Sequence, residues 1–318
     1  MPSIRNIIGM VVGLATVASA LPAQPKLSSR AVSAYDLRAR QLAATGLPAG
    51  LTDIDILQFA LTLEFLETAF YQEGFAQFSD SDFAALGLTP EDITNLKSIG
   101  NTEQVHVTTL LSAIAGAGTQ PVAPCTYKFG LTDAASMVAT ASILENVGVS
   151  AYLGAAPLLT TPAILTVAAE IVTVEARHQT FIRVASKAAA VPSAFDTPLG
   201  IRSVFSLAAG FISSCPSGSN LAITPFAAMS MASGASTSAI VAGSNLQITT
   251  AATGATFCAF TNGGQPGGAA FTPFANGACV VPQDLAGLTY VNLASAGPLT
   301  GVLTDAITVA GPMVVQIS

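Results

Sequence analysis

The 318 residues carry a formal charge of −7, and 51% of them are hydrophobic while only 9% are charged. The acidic balance, without any Lys/Arg cluster, excludes nucleic acid and an anionic membrane surface as partners. So apolar a chain raises the question of a membrane span. The longest uncharged helical stretch, 146–169, is interrupted by Pro157 and Pro162, so no transmembrane helix is expected in the mature chain.

At the N-terminus Arg5 is followed by an apolar run from Ile7 to Val17 and then by Ala18-Ser19-Ala20. That order of charge, apolar run and small-residue cleavage pattern reads as a signal peptide over residues 1–20, which makes the protein secreted, extracellular or held in a cell wall. Residues 21–50, with Pro22, Pro25 and Pro48, read as an extended leader. Export permits disulfides, and the four cysteines form an even set with three possible pairings. The expectation is Cys258 with Cys279, inside the C-terminal region, and Cys125 with Cys215, tying distant parts of the chain. No Asn-x-Ser/Thr acceptor occurs.

Thr52 with Asp55 has the form of a capping box, and the run from Ile54 to Tyr71 after it is apolar nearly all round. A helix of that kind is buried, so its Glu64 and Glu67 need partners. Thr89-Pro90-Glu91-Asp92 starts a second helix, which carries Glu103 and His106 and ends near Gly116. The Pro/Gly-rich piece 117–131 is long enough, at ~50 Å extended, to cross the length of a helical bundle. A third helix over about 133–155 carries Glu145, and a fourth from Thr161-Pro162 to about Lys187 carries Glu175 and His178.

The chain has only two histidines, and each has a glutamate three residues before it, Glu103 before His106 and Glu175 before His178. On a helix that spacing puts carboxylate and imidazole on one face. The first and third helices echo each other in the same way: Tyr71 follows Glu64 by seven residues and Tyr152 follows Glu145 by seven, so each tyrosine lies on its glutamate's face. Glu67 has Gly148 as its counterpart, which marks Glu64 as the repeated acid and Glu67 as a supporting one. Two helical hairpins result, each with one lone Glu and one Glu-x-x-His, the pattern of a four-helix carboxylate bundle.

From Arg202 to Asp284 no charged residue intervenes, and Gly, Ser, Thr, Ala and Val dominate. Residues 257–260, 288–293 and 313–317 are strand-like, separated by turn signals such as Asn262-Gly263-Gly264 and Asn276-Gly277. The expected organisation is therefore mainly α with a β-rich C-terminal part. It comprises a helical domain over 51–190, a linker over 191–215 and a small β-sandwich over 216–318. So uncharged a surface is expected to dock on the helices, on a partner such as another copy or on a wall polymer, or to be O-glycosylated.

The runs 56–64, 144–156 and 173–178 resemble the secreted fungal ferritin-like proteins associated with stress response or desiccation. The resemblance implies a ferritin-like four-helix bundle. It also implies that Glu103 and Glu175 bridge two ions, Glu64 and Glu145 are terminal ligands, and His106 and His178 bind one ion each. Carboxylates with imidazoles, and no cysteine on the four helices, suit two iron or manganese ions rather than a thiolate zinc site. Tyr71 and Tyr152 pack the core, hydrogen-bond a ligand carboxylate or supply a redox-active phenol. Three classes of function stay open: a dinuclear enzyme acting on dioxygen or peroxide, a metal-sequestering protein, and a structural or wall-associated protein whose site is idle.

Overall fold

The computed structural model describes residues 51–217, 223–232 and 240–317. The expected signal peptide and leader lie outside them. Four long helices form the first part: α1 (Asp53–Gln77), α3 (Pro90–Gly116), α4 (Ala134–Ala155) and α5 (Pro162–Ala185), with a short α2 (Asp80–Ala85) between the first two. Helix α1 packs on α3 and α4 on α5, and the two pairs meet through α1 with α4 and α3 with α5.

The helix starts follow local chemistry. Thr52 and Asp55 form a reciprocal capping box, as do Thr89 and Asp92 behind Pro90, and the Asp133 side chain accepts from the Ser136 amide. Helix α5 is different, because its N-cap, Thr161, makes no side-chain cap bond. Instead the carboxylate of Asp53, at the start of α1, accepts from the amides of Thr160 at 2.9 Å and Thr161 at 2.8 Å. Hydrogen bonding by Thr161 and Thr160, through side chain and backbone, holds the Asp53 carboxyl below its usual range and joins the two helix pairs at one end.

The stretch 191–215, expected as a linker, contains α6 (Ile201–Ala208) and a strand, β2 (Ile212–Ser214). Helix α6 is amphipathic, with Ile201, Val204, Phe205 and Ala208 buried in the helical core. Just before it the chain crosses α4 at Gly154, where an added Cβ would lie 1.8 Å from the Leu199 carbonyl oxygen, so only glycine permits the crossing. The 117–131 connection carries β1 (Thr126–Tyr127), which pairs with β2, and Cys125 is disulfide-bonded to Cys215 beside that pair.

The C-terminal part holds two larger antiparallel sheets, one in the order β3-β4-β7 and one in the order β6-β5-β8-β9. The three strand-like runs read from the sequence fall in β5 (Phe257–Thr261), β8 (Gly287–Ala294) and β9 (Thr308–Ile317). The others are β3 (Met229–Met231), β4 (Asn245–Thr250), β6 (Ala269–Pro273) and β7 (Ala278–Val280). Both sheets contribute to one core: Leu246 and Ile248 from the first meet Phe260, Leu293 and Ile317 from the second. Cys258 on β5 and Cys279 on β7 form the expected disulfide, which links the two sheets.

Every residue of β8 is buried. One face lies in the β core, and from the other Tyr290 enters the helical core. Its hydroxyl donates to the Asn146 carbonyl at 3.0 Å, accepts from Asn146 Nδ2 at 2.5 Å and pairs with Ser150 Oγ at 2.8 Å. Gln179 donates to the Asn146 side chain, which brings α5 into the same network. The β-rich part is thus docked on α4 by a fully buried, hydrogen-bonded phenol.

Candidate metal centre

Glu64 on α1, Glu103 and His106 on α3, Glu145 on α4, and Glu175 and His178 on α5 converge inside the four helices. The four carboxylates are at most 1% exposed and each histidine is 7% exposed, so water solvates none of the charges appreciably. Two donor groups result: Glu64, Glu103, His106 and Glu175, and Glu103, Glu145, Glu175 and His178. Glu103 and Glu175 belong to both, and within each group the donor atoms lie within 4.8 Å of one another.

His106 Nδ1 lies 3.1 Å from Glu103 Oε2, 3.2 Å from Glu175 Oε1 and 3.3 Å from Glu64 Oε2. A single N–H cannot serve three carboxylates. Glu64 Oε2, Glu103 Oε1 and both oxygens of Glu175 are buried without a hydrogen-bond partner. His178 Nδ1 repeats the arrangement at 2.9 Å from Glu103 Oε1 and 3.1 Å from Glu145 Oε2. Orphaned oxygens of several carboxylates crowded round an imidazole nitrogen are the donor set a cation needs. Hard oxygen and imidazole donors of this kind fit a divalent metal ion.

With protons as the only cations, the centre titrates far from ordinary values. Burial pushes the Glu64 carboxyl up to about 7, against the hydrogen bond from His106. Burial pushes Glu175 and Glu67 well above the carboxylate range, helped by the Glu103 charge at Glu175 and the Glu175 charge at Glu67, and it raises Glu145 too. At Glu103 burial acts in the same sense, but hydrogen bonds from both imidazoles outweigh it and hold the group at about 2. Burial lowers the imidazoles, yet the surrounding carboxylates raise His106 to about 12 and His178 to about 9.

The tyrosines cross over. Tyr71 on α1 donates to Glu145 Oε1 on α4, and Tyr152 on α4 donates to Glu64 Oε1 on α1 at 2.5 Å. Each phenol lies on its own glutamate's helical face but holds the other helix's glutamate. Burial, with the adjacent carboxylate next, pushes both phenols well above their usual range, so they stay protonated donors. Glu67 lies beside this set. A Cβ at Gly148 would stand 2.8 Å from Glu175 Oε2 and 3.1 Å from Glu67 Oε1, so the bare glycine leaves room for both carboxylates. An apolar cavity of about 280 Å3 reaches inward to Glu67 and Gly148 from a rim that includes exposed Gly210.

One positioning residue escaped the sequence reading. The Thr102 hydroxyl donates to the Ile99 carbonyl at 2.7 Å and therefore accepts, at 2.9 Å, from His178 Nε2–H. In the neutral imidazole that would fix the tautomer, with the proton on Nε2 and Nδ1 turned to Glu103 and Glu145 as a free donor atom. The matching position before Glu175 is Val174, which has no hydroxyl to offer, so the two halves are not equivalent. The only signal in the sequence was that hydroxyl next to Glu103. Thr102→Val is expected to weaken binding of one ion by roughly ten- to a hundredfold and to leave the other nearly unchanged. A two-site metal titration followed by calorimetry checks it.

Residues 52–188 match the protein-family model described as a ferritin-like domain. The helical part of this chain is thus ferritin-like, with a buried cluster of carboxylates and imidazoles that could hold metal, and a β-rich region follows it. Protein rds1 of Schizosaccharomyces pombe is 26% identical over 166 residues, which are 52% of this chain and 40% of that protein. The chain therefore spans about two-fifths of the length of that relative. Among the described residues no helix is long and apolar enough to cross a membrane.

Proposed function

We propose that this is a secreted protein in which residues 51–190 form a ferritin-like four-helix bundle around a dinuclear iron or manganese centre, with a small β-sandwich over 216–318. Glu103 and Glu175, which belong to both donor groups, would hold both ions, Glu64 with His106 would complete one site, and Glu145 with His178 would complete the other. The observation that carries this reading is the single imidazole nitrogen of His106 facing three buried carboxylate oxygens at 3.1–3.3 Å.

Such a pair of ions supplies one- and two-electron chemistry with dioxygen or peroxide, which suits a role in stress response. The chain's own residues do the rest. Tyr71 and Tyr152 orient the terminal carboxylates and do not compete as charges. Thr102 holds His178 in its binding tautomer. Apolar helix faces exclude water, and the cavity ending at Glu67 offers a route for a small apolar solute such as dioxygen. Sequestration is the competing reading, but the donor groups among the described residues all belong to this one centre, which favours a reactive site over a store. An idle site in a wall-associated protein leaves the orphaned carboxylate oxygens without a cation.

Elemental analysis of protein secreted by its native host is the test. The expected content is close to two iron or manganese ions per chain, with peroxide or dioxygen consumed faster than by the same metal free in solution. Bound metal without turnover would select sequestration, and protein devoid of transition metal would reject the reading.

A further inference from the structure

A second cavity, of about 830 Å3, lies between α4, the end of α5 and strands β8 and β9, away from the carboxylate centre. Its walls are mostly apolar, with Val138, Ala139 and Leu288 among them, and the charged groups lining it among the described residues are Arg183 and Lys187. Arg183 is 5% exposed. Among the described residues its guanidinium makes no hydrogen bond and no ion pair, and its Nε is buried without a partner. The acid whose field acts on it is Asp196, which is exposed and forms no ion pair among the described residues. Tyr290, which also faces it, is a neutral phenol held by Asn146 and Ser150. Burying an unpaired cation is costly, and among the described residues of a chain of net charge −7 no carboxylate pairs with this one.

We propose that this cavity binds a medium-chain fatty acid, or a carboxylate of like shape, with its head on the Arg183 fork and its apolar body along the wall. The guanidinium presents paired N–H donors whose geometry matches a carboxylate bidentately. Lys187, exposed at the rim, adds a second positive charge at the entrance. The volume falls within the range, about 300–1,000 Å3, typical of pockets for small organic ligands. Gly287, at φ +77° and with Pro192 Cγ only 2.8 Å from where a Cβ would stand, brings the β8 backbone to the cavity wall beside Arg183. The site requires no metal, so it stands whether or not the carboxylate centre is loaded.

Calorimetric titration of the whole protein with dodecanoate and with methyl dodecanoate, both below their aggregation limits, tests this. Dodecanoate is expected to bind metal-loaded and metal-free protein alike, and the uncharged ester at least tenfold more weakly. Arg183→Gln should weaken dodecanoate at least tenfold. Ala139→Phe, placed on an exposed wall position that the core does not use, should abolish binding while the protein stays folded. Equal affinity for acid and ester, unchanged binding by Arg183→Gln, or no binding by the wild type would overturn the proposal.

Discussion

Glu175→Gln is expected to take both ions from the protein, whereas Glu64→Gln should take one. Glu175 belongs to both donor groups and Glu64 to only one. The same substitution separates a metal site from a packed core of neutral acids. In metal-free protein Glu175 is held well above the usual carboxylate range by burial and by Glu103, so exchanging a protonated carboxyl for an amide of the same shape costs little. Melting temperatures of the two metal-free proteins should then agree within about 3 °C. With metal at roughly a thousand times its dissociation constant the wild type gains about 4 kcal/mol, on the order of 10 °C, and the variant gains almost none. A variant equally destabilised with and without metal would place the role of Glu175 in packing.

The stabilisation lost to a chelator should grow as pH rises from about 5 to 8. Glu64, raised by burial to about 7, and His178, raised by its carboxylates to about 9, both hold protons more tightly folded than unfolded. Their contribution to the metal-free fold is full below the unfolded values and disappears as pH climbs through the folded ones. Glu103, held at about 2, contributes in the opposite sense, but its loss falls below the usual carboxylate range and outside this window. Metal needs the same ligands deprotonated, so its affinity increases over the interval in which the metal-free fold weakens. Melting scans with and without chelator at several pH values check the sign. A gap that narrows toward pH 8 would contradict it.

Much of the centre is legible in the sequence because helical periodicity is a local property. Three-residue spacing puts Glu103 with His106 and Glu175 with His178 before any packing is known, and Thr52 and Thr89 mark helix starts through bonds to residues three positions on. What periodicity cannot supply is the partner across the interface. The exchange of Tyr71 and Tyr152 between the glutamates of α1 and α4 follows from how those helices pack. The capping of α5 by Asp53 bridges more than a hundred residues. In the C-terminal part, β8 was visible as a strand-like run because Leu288, Tyr290, Val291 and Leu293 suit a covered strand between turn signals, and every residue of it is buried. Strand β4 escaped because it is short and polar, with only Leu246 and Ile248 turned to the core. Helix α6, eight residues in a charge-poor stretch, had neither a side-chain cap nor length to announce it.

Crystals of metal-loaded protein, measured on both sides of the iron and manganese absorption edges, test the central claim most directly. Two anomalous peaks are expected, each in contact with Glu103 and Glu175, one also beside Glu64 and His106 and the other beside Glu145 and His178. Density without an anomalous peak among these six side chains, in protein shown to carry metal, would contradict the account.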